Sequence, residues 1–558
     1  MERGTNTHEH LSQLVLPSPH PDQSILFTYY LHQEREYHSA GRACPELVEG
    51  GRGWGRTRLY SLLMSTHKIA TSTLWQLTSQ AITMVIGILG IKLTTIALSR
   101  ELVGNYQTVY SYLQIFGILA DFGLYAVSLR ELSRATDRAL TFGTLFLLRA
   151  VITCISLGVA IVFAWVLPSF RGTPLLLGIT IAALVPFFTL LAGMFRTLFQ
   201  VEYRMHFVFV SEVLGKIVPV LLMAGAVFLG VKGEQSVSLY YYFLGFGGAG
   251  SLLLFLLSLW FARGLLKVYP GLPYLRQEEF WRILRLATPY GLAFLATTIY
   301  RQSDVTLIAM LRPDYDLQNA SYGVALRIAE VGFLLPTLVL NSALPILSEK
   351  KESDPSRASF LGNILLTLLT LGSIASLCSY FFSRPLMLLL TNENYLSTAS
   401  LAGADTALQL LSFPMFLGMI ITFCFYLLLI LHSWRMLLIF TSGAALLSVL
   451  LNLFLIPLFG FTGAAMTQIA VHILLAIGLS GLTIYKVAVY LPFSRFARWF
   501  AMSISLGFLL WLTADFLRGT LSTLIGGVLA LFAALLLAWI FGVLPHSTKA
   551  LWRRENGI

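Results

Sequence analysis

Charge is scarce in this chain: of 558 residues only 12% are Asp, Glu, Lys or Arg, while 56% are hydrophobic and the mean hydropathy is +0.76. A soluble enzyme or a disordered segment needs far more charge, so the composition describes a protein whose solvent is mostly lipid. Cysteine is scarce as well. Cys44, Cys154, Cys378 and Cys424 follow no paired or metal-ligand spacing, and three of them lie in apolar runs, which reads as small core residues. His432 and His472 stand alone, read as packed or interfacial rings, and no metal site is expected. A Walker A pattern is missing, which excludes a pump carrying its own ATP motor. Long hydrophilic loops are missing too, which counts against a membrane glycosyltransferase with a soluble donor-binding part. The net charge of +11 would suit nucleic acid, but the Lys and Arg residues sit in short loops between apolar runs, so no nucleic acid partner is expected.

What is present is a series of apolar runs, each near the roughly 20 residues that a helix needs to cross a bilayer. They fall at 74–97, 107–129, 141–168, 174–195, 208–230, 238–262, 287–311, 321–347, 359–383, 405–431, 436–457, 463–485, 499–517 and 520–543. The expected fold class is an all-α polytopic membrane protein with about 14 transmembrane helices. With the start of the first helix inside, the inner loops collect 21 Lys or Arg and the outer loops 6, so both termini are expected in the cytoplasm. Residues 1–63 lack Lys and periodicity and show no signal-peptide pattern; they read as an extension ahead of a start at Met64. The longest inner connection, Arg263 to Arg285, contains Pro270, Gly271 and Pro273 and then a basic amphipathic stretch, Phe280 to Arg285. It reads as a lobe boundary with an interfacial helix. The expected organisation is 64–262 as a first lobe, 263–286 as a cytoplasmic linker, 287–498 as a second lobe and 499–558 as two extra helices with a tail.

Ionisable residues inside spans are the candidates for function, because charge in lipid is costly. Five are basic, Lys92, Arg149, Lys216, Arg301 and Arg327, and four are acidic, Asp121, Glu212, Asp304 and Glu330. Arg301 and Asp304 share one helix face, as do Arg327 and Glu330. In an antiparallel hairpin turning over Arg312 to Ala320, Arg301 would face Glu330 and Asp304 would face Arg327. Asp121 and Arg149 fall at equal depth on neighbouring spans, and Glu212 and Lys216 read as a local pair. Lys92 has no obvious partner and either snorkels outward or contacts an anion. Such pairs hold helices together; they also keep cations ready in a low dielectric, with each acid as a placeholder that yields its Arg to an anionic ligand.

Local wording narrows the class. The stretches Leu102, Val103, Gly104, Asn105, Tyr106 through Ala120, Asp121, Phe122, Gly123, Leu124 to Leu129, Arg130, Glu131 form an ordered series with Leu198, Phe199, Gln200, Glu202, Tyr203, Arg204. The series continues with Tyr322 through Ala325, Arg327, Glu330, Leu344, Pro345, Ser348, Glu349, and with Gly460, Phe461, Thr462, Gly463, Ala464, Ala465. It resembles the polysaccharide-repeat (O-antigen or oligosaccharide) flippases of the multidrug, oligosaccharidyl-lipid and polysaccharide exporter superfamily. The resemblance covers Met64 to the end. It implies two six-helix lobes in a V around a central cavity, plus two C-terminal helices. It also implies a non-enzymatic flippase of the bacterial inner membrane that moves undecaprenyl-diphosphate-linked oligosaccharide by alternating access, for cell-surface polysaccharide. Under that reading Arg301, Arg327, Lys92 and Arg149 are the cavity cations for the diphosphate, and Asp304, Glu330 and Asp121 are their charge partners. Asp304, protonated or sodium-bound in one state, would couple transport to H+ or Na+, with no other cofactor. Membrane lipids, a polysaccharide polymerase and glycosyltransferases are the expected partners. A cation-coupled exporter of small molecules with the same fold is the alternative, and cavity charge separates the two: a diphosphate needs cations, a cationic drug needs carboxylates.

Overall fold

The computed structural model describes residues 54–121, 123–135, 137–266, 277–349, 355–431, 433–514 and 520–543. The expectations for residues 1–53, for His432 and for Pro270 to Pro273 lie outside them. Within the described residues the chain is helical, with no strand. A first set comprises α1 (Trp54–Ala97), α2 (Arg100–Asp121), α3 (Leu124–Arg134), α4 (Arg138–Val166), α5 (Leu175–Ala182), α6 (Leu184–Val201), α7 (Met205–Phe228) and α8 (Val237–Leu266). A second set comprises α9 (Gln277–Leu311), α10 (Tyr315–Glu349), α11 (Pro355–Phe381), α12 (Ser383–Leu390), α13 (Ala404–Ile430), α14 (Trp434–Phe459) and α15 (Phe461–Lys486). Two more helices follow, α16 (Phe493–Ala514) and α17 (Thr520–Ile540), and they clasp α11 and α12.

Twelve spans are long and apolar enough to cross a membrane, α5 and α6 counting as one. Two further helices of sufficient length, α2 and α9, are too polar for that class. Together they account for the fourteen expected spans, and the two exceptions pack against each other. A helix too polar for lipid is stable in a membrane only where other helices or water cover it.

Local chemistry explains the boundaries. Asp137 caps α4 by accepting from the Ala139 and Leu140 N–H groups, and Leu167 before Pro168 ends that helix in extended backbone. Gly460, at φ +61°, turns α14 into α15 through backbone that disfavours any side chain. The amphipathic stretch 280–285 does not form a separate interfacial helix: it is the opening of α9, which runs unbroken from Gln277 to Leu311. Its apolar residues Ile283 and Ala287 are buried against Leu124, Val127 and Phe195 of the first set, a burial that favours continuing the helix.

Packing repeats between the sets. In the first, α1 lies on α7, α7 on α8 and α6 on α8; six spans later α9 lies on α14, α14 on α15 and α13 on α15. The sets meet most closely at the end that carries the Arg312 to Asp314 turn, here the turn end. A single apolar cluster is continuous across both sets there, running from Val103, Tyr112 and Tyr240 to Tyr322, Met387 and Ala464. Toward the opposite end the core divides, with one cluster around Phe423 and Leu428 in the second set and another around Leu148 and Phe199 in the first, which only the opening of α9 joins from the second set, through Ile283 and Ala287. The molecule is thus sealed at the turn end, and α2, α9 and α10 run from that seal into the region between the divided cores.

Candidate functional site

The seal is polar as well as apolar. Tyr315 donates to Asn105 at 2.9 Å, Asn319 donates to Thr108 at 2.9 Å, and Arg100 donates to Ser321 at 2.9 Å. Gly104 makes this crossing possible, because a Cβ there would overlap the Asp316 carbonyl. Lys92 belongs to the same seal. Its Nζ donates to the Thr391 carbonyl at 3.0 Å while Thr95 donates to the Leu390 carbonyl at 2.6 Å, so both serve the C-terminal end of α12, where orphan carbonyls and the helix dipole attract a cation. Lys92 is therefore held at the turn end.

Below the seal, α9 and α10 do not meet in the expected register. The polar turn is shorter than Arg312 to Ala320: α10 starts at Tyr315, six residues before the expected span. That early start moves position 322, rather than 327, opposite Asp304. The Tyr322 hydroxyl accordingly donates to Asp304 at 2.6 Å, and Asp304 also accepts from Gln468 at 2.7 Å and Asn452 at 2.8 Å. This carboxylate is fully buried and has three neutral donors and, among the described residues, no cation. On the two helices that supply these amides, Asn452 Oδ1, Ser448 Oγ and Thr467 Oγ1 are buried oxygens without a hydrogen bond among the described residues. The expected Asp304–Arg327 pair does not form.

Arg327 instead binds its own helix. It pairs with Glu330 at 2.9 Å, three residues on, and donates through Nε to Gln107 of α2 at 3.3 Å. Gln302 also donates to Glu330, at 3.4 Å. The expected Arg301–Glu330 pair is therefore absent, and Arg301 makes no ion pair among the described residues. Its guanidinium lies 4.3 Å above the Phe333 ring, and Phe333 in turn stacks on His472 at 5.8 Å. Buried His472 is fixed by a 2.8 Å hydrogen bond between Nδ1 and the Gln468 carbonyl, in which the ring N–H donates. Arg301 is half-buried, so a rigid aromatic stack holds a cation without a counterion.

In the first set, Arg149 donates to Asp121, as equal depth suggested. Arg149 is buried, at 4% side-chain exposure, so it works inside the first set rather than facing the second. Glu212 pairs not with Lys216 but with Arg196 at 3.0 Å, and it accepts from Ser79 at 2.6 Å. A partner on another helix displaces the local one because it also ties α1, α6 and α7 together. Lys216 is left exposed, and it lies within Coulombic range of Arg327.

Arg301, Gln302, Arg327 and Glu330 are thus partly exposed together on α9 and α10, where Gln107 of α2 reaches Arg327, and Lys216 of α7 is within Coulombic range of Arg327; this is the polar space between the sets, while Asp304 lies in a closed pocket of the second set. The expectation that Lys92 and Arg149 share this space is not met by their contacts. A census of charges misses Gln107, Gln302, Tyr322, Asn452 and Gln468; amides and a tyrosine within apolar runs were the available signal.

Residues 69–351 match a family model described as polysaccharide biosynthesis protein. Among solved structures the chain is similar to the lipid II flippase MurJ in an inward closed conformation, with TM-score 0.63 and 14% identity over 87% of this chain and 100% of that one. It is also similar to a multidrug resistance MATE family transporter of the MOP superfamily in an inward-facing conformation, with TM-score 0.53 and 13% identity over 74% of this chain and 99% of that one. At these identities the likeness shows the fold. No curated protein matches the chain in sequence.

Proposed function

This chain belongs to the polysaccharide biosynthesis protein family and has a transporter fold rather than that of an enzyme; from that premise we propose that it flips undecaprenyl-diphosphate-linked oligosaccharide from the inner to the outer leaflet of a bacterial inner membrane. Both termini are cytoplasmic in this reading, and the turn end is the outer face. The lobes 64–262 and 287–498, joined by 263–286, alternate access, with 499–558 as an accessory pair of helices. Glycosyltransferases supply the cargo and a polymerase consumes it.

The observation that carries this reading is Arg301, a guanidinium poised on Phe333 without a counterion among the described residues, beside the polar space of Arg327 and Lys216. A diphosphate supplies the missing anion and accepts a bidentate donor. Arg327 joins when the diphosphate displaces Glu330, the acid acting as placeholder. A cationic drug would be repelled by the same set, which disfavours the exporter reading. In proteoliposomes, Arg301→Ala is expected to lower flipping of a lipid-diphosphate sugar by about a hundredfold, with Arg301→Lys in between, since charge returns without the planar fork. Flipping by Arg301→Ala at the parent rate would overturn the proposal.

Asp304 supplies the coupling. A buried carboxylate without a cationic partner has a proton or Na+ as its natural complement, and the free Oδ1 of Asn452, whose amide donates to Asp304, suits a hard cation. Asp304→Asn should make flipping indifferent to imposed H+ and Na+ gradients. Unchanged gradient dependence would remove Asp304 from the coupling.

A further inference from the structure

Either side of Gln107, which Arg327 contacts, α2 carries a partly exposed stripe that is aromatic and packs on the lower edge of the seal cluster. Tyr106, Tyr110 and Gln114 recur every four residues and are partly exposed, whereas Leu102, Val103, Val109, Tyr112 and Leu113 on the rest of the helix are at most 5% exposed. The Tyr106 and Tyr110 rings lie 4.8 Å apart, tilted by 53°. Arg327, across the space on α10, is within Coulombic range of both hydroxyls, as it is of Lys216 on α7. Gly247 of α8 leaves room for the Tyr110 hydroxyl, which a Cβ there would strike. Gln114, halfway along a span, has no hydrogen-bond partner among the described residues. An amide at that depth needs water or a ligand.

We infer that Tyr106, Tyr110 and Gln114 form the saccharide-recognition face of the transport site, stacking a pyranose ring beside the cations that hold the diphosphate. This rests on the proposed function. A pyranose carries an apolar C–H face, which an aromatic ring covers, and equatorial hydroxyls, which an amide and phenolic oxygens satisfy. A cationic group would also favour aromatic faces, but Arg327, Lys216 and Arg301 repel it. A polyprenyl tail gains nothing from a hydroxyl or an amide. The face therefore discriminates among cargoes by sugar, while Arg301 binds what all of them share.

The test is binding to the full-length protein in detergent or nanodiscs. The probes are undecaprenyl diphosphate, bare or bearing N-acetylglucosamine, N-acetylgalactosamine, glucose or galactose. The parent is expected to bind at least one glycosylated probe about tenfold more tightly than the bare lipid, the scale of one good aromatic contact. In Tyr110→Leu and Gln114→Leu that ratio should collapse toward one, and Tyr110→Phe should keep most of it. Gln114 is partly exposed and unpartnered, so its variant tests the idea even where Tyr110→Leu folds poorly. A ratio in both Leu variants equal to the parent's would overturn the inference. So would a parent that binds all five probes equally, although the diphosphate reading would then stand. A parent that binds none of the five would overturn the proposed function, and this inference with it.

Discussion

Arg301 and Asp304 lie one turn apart on α9 and meet opposite surroundings. Asp304 is fully buried, with three neutral donors closing over it; Arg301 is half-buried, with an aromatic face behind it and no acid in front. Both depart from the rule that a buried charge is paired, and they depart in different ways. The carboxylate is solvated by protein dipoles and invites a small cation. The guanidinium is left open and invites an anion. Charge in this membrane protein is thus sorted by packing: the second set encloses the acid, and the space between the sets receives the base.

The comparison breaks most visibly at Asp304. Asp304→Ala leaves the Tyr322 and Asn452 donors buried without an acceptor and Gln468 with only the Tyr300 and Arg301 carbonyls, at a cost on the order of 3 to 5 kcal/mol. Thermal unfolding in detergent should show a large downward shift. A shift within error of the parent would mean that the pocket is not closed. Arg301→Ala, by contrast, orphans no acid and forfeits only a cation–aromatic contact of about 1 kcal/mol, so the variant should fold and yet fail to flip. A loss of stability comparable to that of Asp304→Ala would point to a hidden partner for Arg301.

How much of this could be read from the sequence follows from the same two residues. Spans and their number were legible because hydropathy is a local property, and the two most polar spans proved to be the central ones, α2 and α9. The list of buried charges was legible for the same reason. Pairing was not, because it depends on register, and register depended on where α10 starts. Tyr315, Asp316 and Gln318 read as turn residues, yet all three have roles in the helix: Tyr315 binds Asn105, Asp316 lies against Gly104, and the Gln318 Oε1 accepts from the Phe461 N–H. Those tertiary contacts extend the helix toward the turn and shift every facing pair. The amides that serve Asp304 carry no charge, so a search for ions passed over them.

Arg327 and Glu330 offer a milder test, because this pair is real but open to the cavity, with side-chain exposures of 21% and 25%. Arg327→Ala leaves Glu330 with Gln302, and the expected loss is about 1 kcal/mol, the scale of partly solvated pairs. The double change Arg327→Ala with Glu330→Ala should recover most of it. If the double variant also recovers flipping, Arg327 is a scaffold residue and the placeholder idea fails for this pair.

The smallest effect sharpens the contrast between carboxylates. Asp314, in the turn beyond α9, has the cation that Asp304 lacks: Arg312 donates to its two oxygens at 2.8 and 3.1 Å, and Gln318 donates at 3.0 Å. The Arg312 guanidinium, with help from Gln318, holds the Asp314 carboxyl below the usual carboxylate range. A carboxyl whose folded value is depressed contributes stability that is fully present above its ordinary value, near 4, and is lost as pH falls through the depressed one. The pair is more than a third exposed on the Asp side, so solvent screening limits the contribution to less than about 1 kcal/mol. Asp314→Asn should therefore lower the unfolding temperature slightly at neutral pH, and the difference from the parent should shrink as pH falls through the depressed value and the parent carboxyl is protonated as well. It should leave flipping and its gradient dependence untouched. A transport defect in Asp314→Asn equal to that of Asp304→Asn would show that the Arg312–Asp314 turn, rather than the closed pocket, sets the coupling.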